Sequence, residues 1–179
     1  MPFGKNPTAM LLLLLAAPAL LAAGSDGSAP FTITISGPTQ PVAVGAEVRV
    51  HVVLTNISRE TLCIQRSPSP GVAEFYYTVR VWDEHGTEAK ITDYGRTAKA
   101  QQNQGSQSLK LLRPGDEDEE DSVVSKQFDM TAPGQYKIQF EKVLSHDPGN
   151  GSVLAAKRPH DPKDSIVKSN EITVTVAAQ

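Results

Sequence analysis

The most prominent reactive feature of the sequence is a run of six consecutive carboxylates, Asp116 to Asp121, after an Arg-Pro-Gly turn. Such side chains bind Ca²⁺, but calcium takes about six to eight oxygens from a curved, glycine-punctuated loop, and that spacing is absent here. In an extended chain only about half of the run would face one ion. We therefore predict a charged turn at the start of a strand, which keeps a sheet edge from pairing with neighbours. Weak binding of a divalent cation or a basic partner through Asp116, Asp118 and Glu120 is the alternative.

A second set of candidate ligands is a repeated His-Asp-Pro sequence on either side of Gly-Asn-Gly. Its members are His146 and Asp147 in the first copy and His160 and Asp161 in the second. Zinc and copper accept imidazole and carboxylate ligands, so two copies that folded back on each other would form a metal site. The segment is long, polar and rich in proline, which favours a mobile surface loop instead. We predict no cofactor and keep metal binding as the alternative.

Catalysis has little support in the sequence. Leu62 and Ile64 take the buried face of their alternating stretch, so the single thiol, Cys63, shares the other face without a neighbouring histidine to activate it. We predict an inert thiol, with an intermolecular disulfide as the alternative. His51, on a polar strand face, and His85, in a turn, are predicted to be solvated. Because the motifs of serine hydrolases, zinc proteases and phosphate-binding loops are absent, we predict that the protein is not an enzyme.

The elements that would position these residues are strands, because apolar and polar residues alternate with a period of two along much of the chain. The alternating stretches are 31–36, 47–56, 75–83, 134–141 and 170–176, and a further strand is expected to begin in 122–130. Turn signals rich in glycine and proline separate them. No stretch of useful length has a helical period, and the glutamine-rich stretch 98–108 is predicted to be a flexible loop. We predict an all-β, antiparallel sandwich of about seven to nine strands.

Two aromatic residues bear on an immunoglobulin-like version of this sandwich, and we give both a structural role. Tyr136 follows Pro133 and Gly134 at the start of a late strand, where the hydroxyl of a tyrosine corner would bond back to the preceding loop. Trp82 is out of phase with Val81, so either the strand is kinked near this point or the following loop covers the indole. We favour cover by the loop, because an exposed indole would leave a large apolar area in water.

The N-terminus predicts export. One lysine precedes an apolar stretch that is broken by Pro18 and ends in small residues, which is the layout of a secretory signal peptide over residues 1–24. We expect a flexible segment at 25–30 and one sandwich domain at 31–179, in the periplasm or outside the cell. With a net charge of −3, the chain lacks the basic clusters that nucleic acid and anionic lipid require. We therefore predict no nucleic-acid partner, no stable membrane insertion after signal cleavage, and a monomer or weak dimer with an unknown protein partner.

Four short stretches resemble the bacterial intracellular proteinase inhibitor family, which is an immunoglobulin-like group. They are VVLTNIS, YYTVRVWDEHG, LLRPGDE and APGQY, and the resemblance covers about residues 48–140. The chain also resembles uncharacterised exported bacterial proteins of the same layout. The resemblance implies an immunoglobulin-like sandwich and makes proteinase inhibition an alternative function, and no inhibitory residue is carried over. Our principal prediction is a non-catalytic exported module that binds protein at a loop end or an exposed sheet edge, with proteinase inhibition and metal binding in the envelope as alternatives.

Overall fold

The alternating stretches form strands that turn their apolar residues to a common core, as a computed structural model of the chain describes for residues 29–66, 76–101, 108–144 and 165–178. In chain order the elements are β1 (Phe31–Ser36), β2 (Val42–Ala43), β3 (Arg49–Asn56), β4 (Leu62–Arg66), β5 (Thr78–Trp82), α1 (Asp93–Gln101), β6 (Ser108–Leu112), β7 (Glu117–Val123), α2 (Val124–Gln127), β8 (Gly134–Leu144), β9 (Ser165–Lys168) and β10 (Ile172–Ala177). The predicted all-β sandwich is confirmed. The described ranges hold ten strands, more than the seven to nine expected.

The strands form two larger sheets and one small sheet. In the first, β3 lies between β1 and β7 and is antiparallel to both. The second has the order β2-β10-β8-β5, with β2 parallel to β10 and the other pairs antiparallel. β9 pairs with the last residues of β8, on the same side as β10. β4 and β6 form a separate two-stranded sheet.

The core consists of the inward ladders of the two larger sheets. Side chains with no exposure include Val50, Val52 and Leu54 of β3 and Ile138 and Phe140 of β8. Fully burying an apolar side chain of this size contributes about 1.5–3 kcal/mol. These ladders therefore supply the main stabilisation of a fold whose single cysteine is free.

Two side chains, those of Tyr136 and Asn170, form hydrogen bonds with the backbone at corners of the sandwich. The Tyr136 hydroxyl donates to the carbonyl oxygen of Ala132, four residues earlier, at 2.9 Å, which is the contact that a tyrosine corner makes. At another corner, Asn170 lies between β9 and β10 and takes the place of a strand neighbour for β1. Its Oδ1 accepts from the backbone amide of Ile35 at 2.8 Å, and its Nδ2 donates to the carbonyl of the same residue at 3.0 Å. One amide side chain thus joins the two larger sheets.

A buried asparagine, Asn56, attaches the small sheet to β3. Its Nδ2 donates to the carbonyl oxygens of Glu60 and Leu112 at 2.8 and 2.9 Å. Its Oδ1 accepts from the backbone amide and the hydroxyl of Ser58 at 2.9 and 2.8 Å. Asn56 is 1% exposed, so a residue that lacked these donors would leave carbonyl groups without partners in the interior.

The described residues contain two helices, one that enters the stretch predicted as a loop and one within the stretch predicted as a strand. α1 includes the first residues of the glutamine-rich stretch 98–108, which the composition assigns to a loop, and β6 begins at its last residue. Residues 102–107 lie outside the described ranges. α2 is a single helical turn within the strand expected at 122–130. Neither described helix has the length and apolar composition that crossing a membrane would require.

The acidic run is a strand, so the predicted charged turn is also wrong. Of its carboxylates, Asp116 lies in the turn, where it accepts from the backbone amide of Arg113 at 2.9 Å. The other five form most of β7 and pair with β3 residue by residue. The side chains that face solvent are Glu117, Glu119 and Asp121, and those that face the interior are Asp118 and Glu120. The outward three give the edge strand β7 the charge that discourages pairing with neighbours, as the sequence predicts for a sheet edge.

Replacing Asn56 tests the attachment of the small sheet. Asn56→Asp keeps the shape of the side chain but removes both donors and buries a carboxylate, so we expect the free energy of unfolding to fall by about 3–5 kcal/mol in urea titrations. Thr34→Ser, on the exposed face of β1, is the control and should change it by less than about 0.5 kcal/mol. A loss of under about 1 kcal/mol for Asn56→Asp would contradict this account of the attachment.

Candidate functional site

Four charged side chains from three strands form a cluster beside the core that we call the buried charge cluster, although one of them, Lys110, is 34% exposed. Its members are Lys110 of β6, Asp118 and Glu120 of β7, and Lys142 of β8. Asp118 is 2% exposed, and its Oδ1 lies 2.7 Å from the Nζ of Lys110. Because period two places Lys110 and Lys142 on the inward faces of their strands, each faces the inward carboxylates of β7. The cluster therefore balances two positive charges against two negative charges.

Lys142 is the most deeply buried cation of the cluster. Its Nζ lies 4.4 Å from the centre of the Tyr77 ring and donates to the carbonyl oxygen of Tyr76 at 3.4 Å. Burial lowers the pKa of Lys142 to about 8, although the charges of Glu120 and Asp118 act in the opposite direction. A lysine of lowered pKa is typical of nucleophilic and general-base sites. Lys142 is only 3% exposed, however, and is therefore shielded from a reactant in solution.

The burial of Lys142 makes stability depend on pH. Between about pH 8 and its ordinary pKa of 10.5, the folded protein has released this proton while the unfolded chain still holds it. The free energy of unfolding should then rise with pH in this window, by up to about 1.4 kcal/mol per unit. Urea titrations between about pH 8 and pH 10 should show this rise in the natural protein and its loss in Lys142→Met. Lys137→Met, which removes an exposed lysine from the same strand, should keep it. Equal slopes for all three proteins would show that Lys142 does not titrate in this window.

Tyr77 connects the buried charge cluster to a cleft of about 300 Å³ between β5 and α1, which we call the β5–α1 cleft. Its strand side is formed by Tyr77 to Arg80, and its helix side by Ile91, Gly95 and Lys99. These three residues are spaced by four, which places them on one face of the helix and of the turn before it. Phe128 and Ala89 add apolar groups to the lining, which also contains the polar side chains of Glu88 and Gln127. The cleft thus has a strand edge on one wall and a helix on the other.

The position of α1 is set by contacts with α2. Thr92 precedes the helix, and its Oγ1 accepts from the backbone amide of Gly95 at 3.0 Å, which is an N-cap. The backbone amide of Thr92 in turn donates to the carbonyl of Gln127 at 2.8 Å. A Cβ atom added to Gly95 would lie 2.3 Å from that carbonyl oxygen, so the two helices approach more closely than any other residue allows. α1 is therefore held against α2 and not against β5.

The two basic side chains that line the cleft, Arg80 and Lys99, differ in their ion pairs with carboxylates of the described residues. The Nε of Arg80 lies 3.2 Å from Glu141, and an Nη lies 3.7 Å from Glu88. Lys99, in the last turn of α1, is exposed and forms no ion pair with any residue in the described part of the chain. The rim of the cleft therefore offers one positive charge to a ligand.

Gly95→Ala tests the close approach of the helices. In an exposed helix this change would stabilise the fold by about 0.5–1 kcal/mol, because alanine has the higher helix propensity. Here the clash with Gln127 should reverse the sign and cost about 1–3 kcal/mol in the free energy of unfolding. Thr97→Ala, on the exposed side of the same helix, is the control and should be neutral or slightly stabilising. A stabilised Gly95→Ala protein would show that α1 does not lie against α2 as described.

The metal ligands considered from sequence are not brought together in the described residues. Asp116 lies in a turn, and Asp118 and Glu120 lie inside the sandwich beside lysines. No group of three or more His, Cys, Asp or Glu side chains within the described ranges is placed to hold a metal ion. The candidates in the repeated His-Asp-Pro sequence, His146, Asp147, His160 and Asp161, lie outside those ranges.

Cys63 has the orientation that the alternating pattern predicts. Leu62 and Ile64 are buried, whereas Cys63 is half-buried on the other face of β4 and lies opposite Leu111 of β6. Leu111 and Leu109 on this outer face are 68% and 63% exposed. The thiol therefore belongs to a small exposed apolar patch. An intermolecular disulfide stays a prediction.

Trp82 continues β5 without a kink, since its register with Lys137 of β8 is regular. The indole is half-buried and lines a second cleft of about 540 Å³ with the turn residues 83–86. His85 is exposed in that turn, as the sequence predicts. The His51 side chain is 42% exposed, in agreement with the prediction of a solvated side chain, and its Nδ1 lies 3.0 Å from Asp121 across the strand pair.

The residues that sequence reasoning missed are Lys110, Lys142, Gly95 and Lys99. Each lysine of the buried charge cluster stands in phase with apolar residues of its strand, which is a signal that the pattern contains. Thr92 followed by Asp93 is likewise a helix-start signal that would have placed Gly95 and Lys99 on α1. The described residues define the class of the protein as an all-β sandwich. Comparison of the sequence with protein-family models and with curated proteins finds no match to either.

Proposed function

We propose that the protein is an exported, non-catalytic module that binds another protein, and that the β5–α1 cleft is the binding site. The observation that carries this proposal is that no strand of the described ranges pairs with β5 on the side away from β8, where the apolar side chains of Ile91, Phe128 and Ala89 stand beside it. β5 ends the sheet order β2-β10-β8-β5, and the cleft lies along this edge. Open strand edges are sites at which proteins pair with extended chains, and apolar clefts supply the contact area that such pairing needs.

The layout of the N-terminus supports export, because a short basic segment, an apolar stretch and small residues follow in the order of a signal peptide. The acidic balance of the chain supports a protein partner over nucleic acid. Proteinase inhibition is a special case of protein binding. It would be supported if the purified domain inhibited a serine protease or metalloprotease at micromolar concentration, and abandoned if a panel of both classes were unaffected.

Site-specific photocrosslinking in the native host tests the proposal. A photoreactive phenylalanine analogue in place of Lys99 should give one discrete protein adduct, because Lys99 stands at the rim of the β5–α1 cleft. The same analogue in place of Thr34, exposed on the other larger sheet, should give none. Adding Thr78→Trp, which fills the cleft, should abolish the adduct at position 99. An adduct that survives Thr78→Trp, or no adduct at position 99, would contradict the proposed site.

A further inference from the structure

We propose that the ligand of the β5–α1 cleft is an extended peptide segment that pairs with β5 as an added strand. One of its apolar side chains lies against Ile91 and Phe128, and one of its carboxylates lies at Lys99. This inference rests on the proposed function, and it specifies the ligand by backbone conformation, side-chain polarity and charge.

The backbone of β5 has hydrogen-bonding groups directed at the cleft. The carbonyl of Val81 accepts from the backbone amide of Ala89 at 2.8 Å, on the side of β5 opposite β8. In an antiparallel strand the N–H and C=O of one residue point to the same side, and those of the residue two positions away do so as well. The N–H and C=O of Val79 therefore point away from β8 and toward the cleft that Val79 lines.

No described strand lies beside Val79 on that side. The backbone contacts of residues 87–89 lie at Val81, near the end of β5, and at Asp83, just after it. From Tyr77 to Arg80 the open edge spans about 13 Å at the rise of a β-strand. An added peptide would therefore pair over about four residues, and its backbone would satisfy the amide and carbonyl of Val79.

The lining of the cleft selects the side chains of the peptide. Successive side chains of a strand alternate between its two faces, so every second residue of the peptide would point toward the apolar wall. This wall is formed by Ile91, Phe128 and Ala89, and at Gly95 no side chain obstructs it. A valine, isoleucine or leucine side chain at this position of the peptide would add favourable binding free energy, because its apolar surface is removed from water.

Charge complementarity selects an acidic peptide. Arg80 already contacts Glu88 and Glu141, so its charge is compensated within the fold. Lys99 forms no ion pair in the described part of the chain, and its exposed side chain lines the helix side of the cleft. A carboxylate placed there gains an ion pair, whereas an ammonium group meets a like charge.

The test uses synthetic peptides and the purified mature protein. The probes are acetylated peptides of about seven residues that alternate threonine and valine, with one aspartate at each position in turn. We expect one register to bind best, and lysine in place of its aspartate to weaken binding by up to about tenfold in fluorescence-polarisation titrations. The variant Lys99→Glu should reverse that preference. Lys137→Glu, on the exposed face of β8, should leave it unchanged.

N-methylation of the peptide separates strand pairing from other modes of binding. A paired strand directs alternate amides at its neighbour, so methyl groups on one alternate set of amides should abolish binding. Methyl groups on the other set should have little effect. The backbone amide of Val79 should also become protected from hydrogen exchange when the best peptide is bound, which is a readout that needs no substitution in the protein.

The outcomes distinguish this inference from the proposed function. If a partner crosslinks at position 99 but no peptide of the panel binds at millimolar concentration, the cleft binds protein in another way and strand addition is wrong. The same holds if both sets of N-methyl groups are tolerated, or if Val79 is not protected. If neither peptide nor partner engages the cleft, the proposed function fails as well.

Discussion

Burial of two facing apolar ladders is the constraint on which the rest of the structure depends. β3 is paired on both edges, so its neighbours satisfy its backbone N–H and C=O groups. Its inward valines and leucine are buried because the opposite sheet covers them. β8 provides this cover with Ile138 and Phe140 and is itself paired on both edges. The single cysteine is free, so the described sandwich has no disulfide to replace this burial. The amide side chains of Asn56 and Asn170 then fix how the sheets meet, because each makes several hydrogen bonds that a shifted sheet would break.

The inward side chains of β8 are apolar up to Phe140, and the next inward side chain is charged. This change connects the core to the candidate site. Phe140 packs edge-on against Tyr77, with ring centres 6.0 Å apart, and two residues later the inward position of the strand is occupied by Lys142. A lysine is tolerated there because the inward carboxylates of β7 and the faces of two tyrosine rings surround it. The same Tyr77 lines the β5–α1 cleft. The strand wall of the cleft is thus supported from behind by aromatic packing and charge pairing, which favours a rigid binding surface over a mobile one.

Much of this architecture could be predicted from the sequence, because alternation with period two is a direct consequence of strand geometry. The ladders of β3, β5 and β10 follow that pattern, and Tyr136 follows the proline and glycine that precede a tyrosine corner. The acidic strand could not be recognised by composition, since Asp and Glu are depleted in strands and favour turns. Its pairing with β3 and the opposing lysines stabilise β7 as a strand. α1 was missed because it has nine residues and few apolar side chains, so its signal lies in the cap and not in a hydrophobic period.

Two of the edge strands of the larger sheets, β7 and β5, differ in the side chains beside them, and this difference explains why β5 is the candidate site. β7 alternates outward carboxylates along its edge, so a second strand would meet a row of like charges there. β5 has no such row, and a helix stands beside it instead. That helix is held by the contact of Gly95 with Gln127, which draws it toward α2. A side chain at this position would separate the helices. The position of α1 beside β5 therefore depends on a helix contact that only glycine permits, and the backbone of Val79 faces the cleft between the strand and the helix.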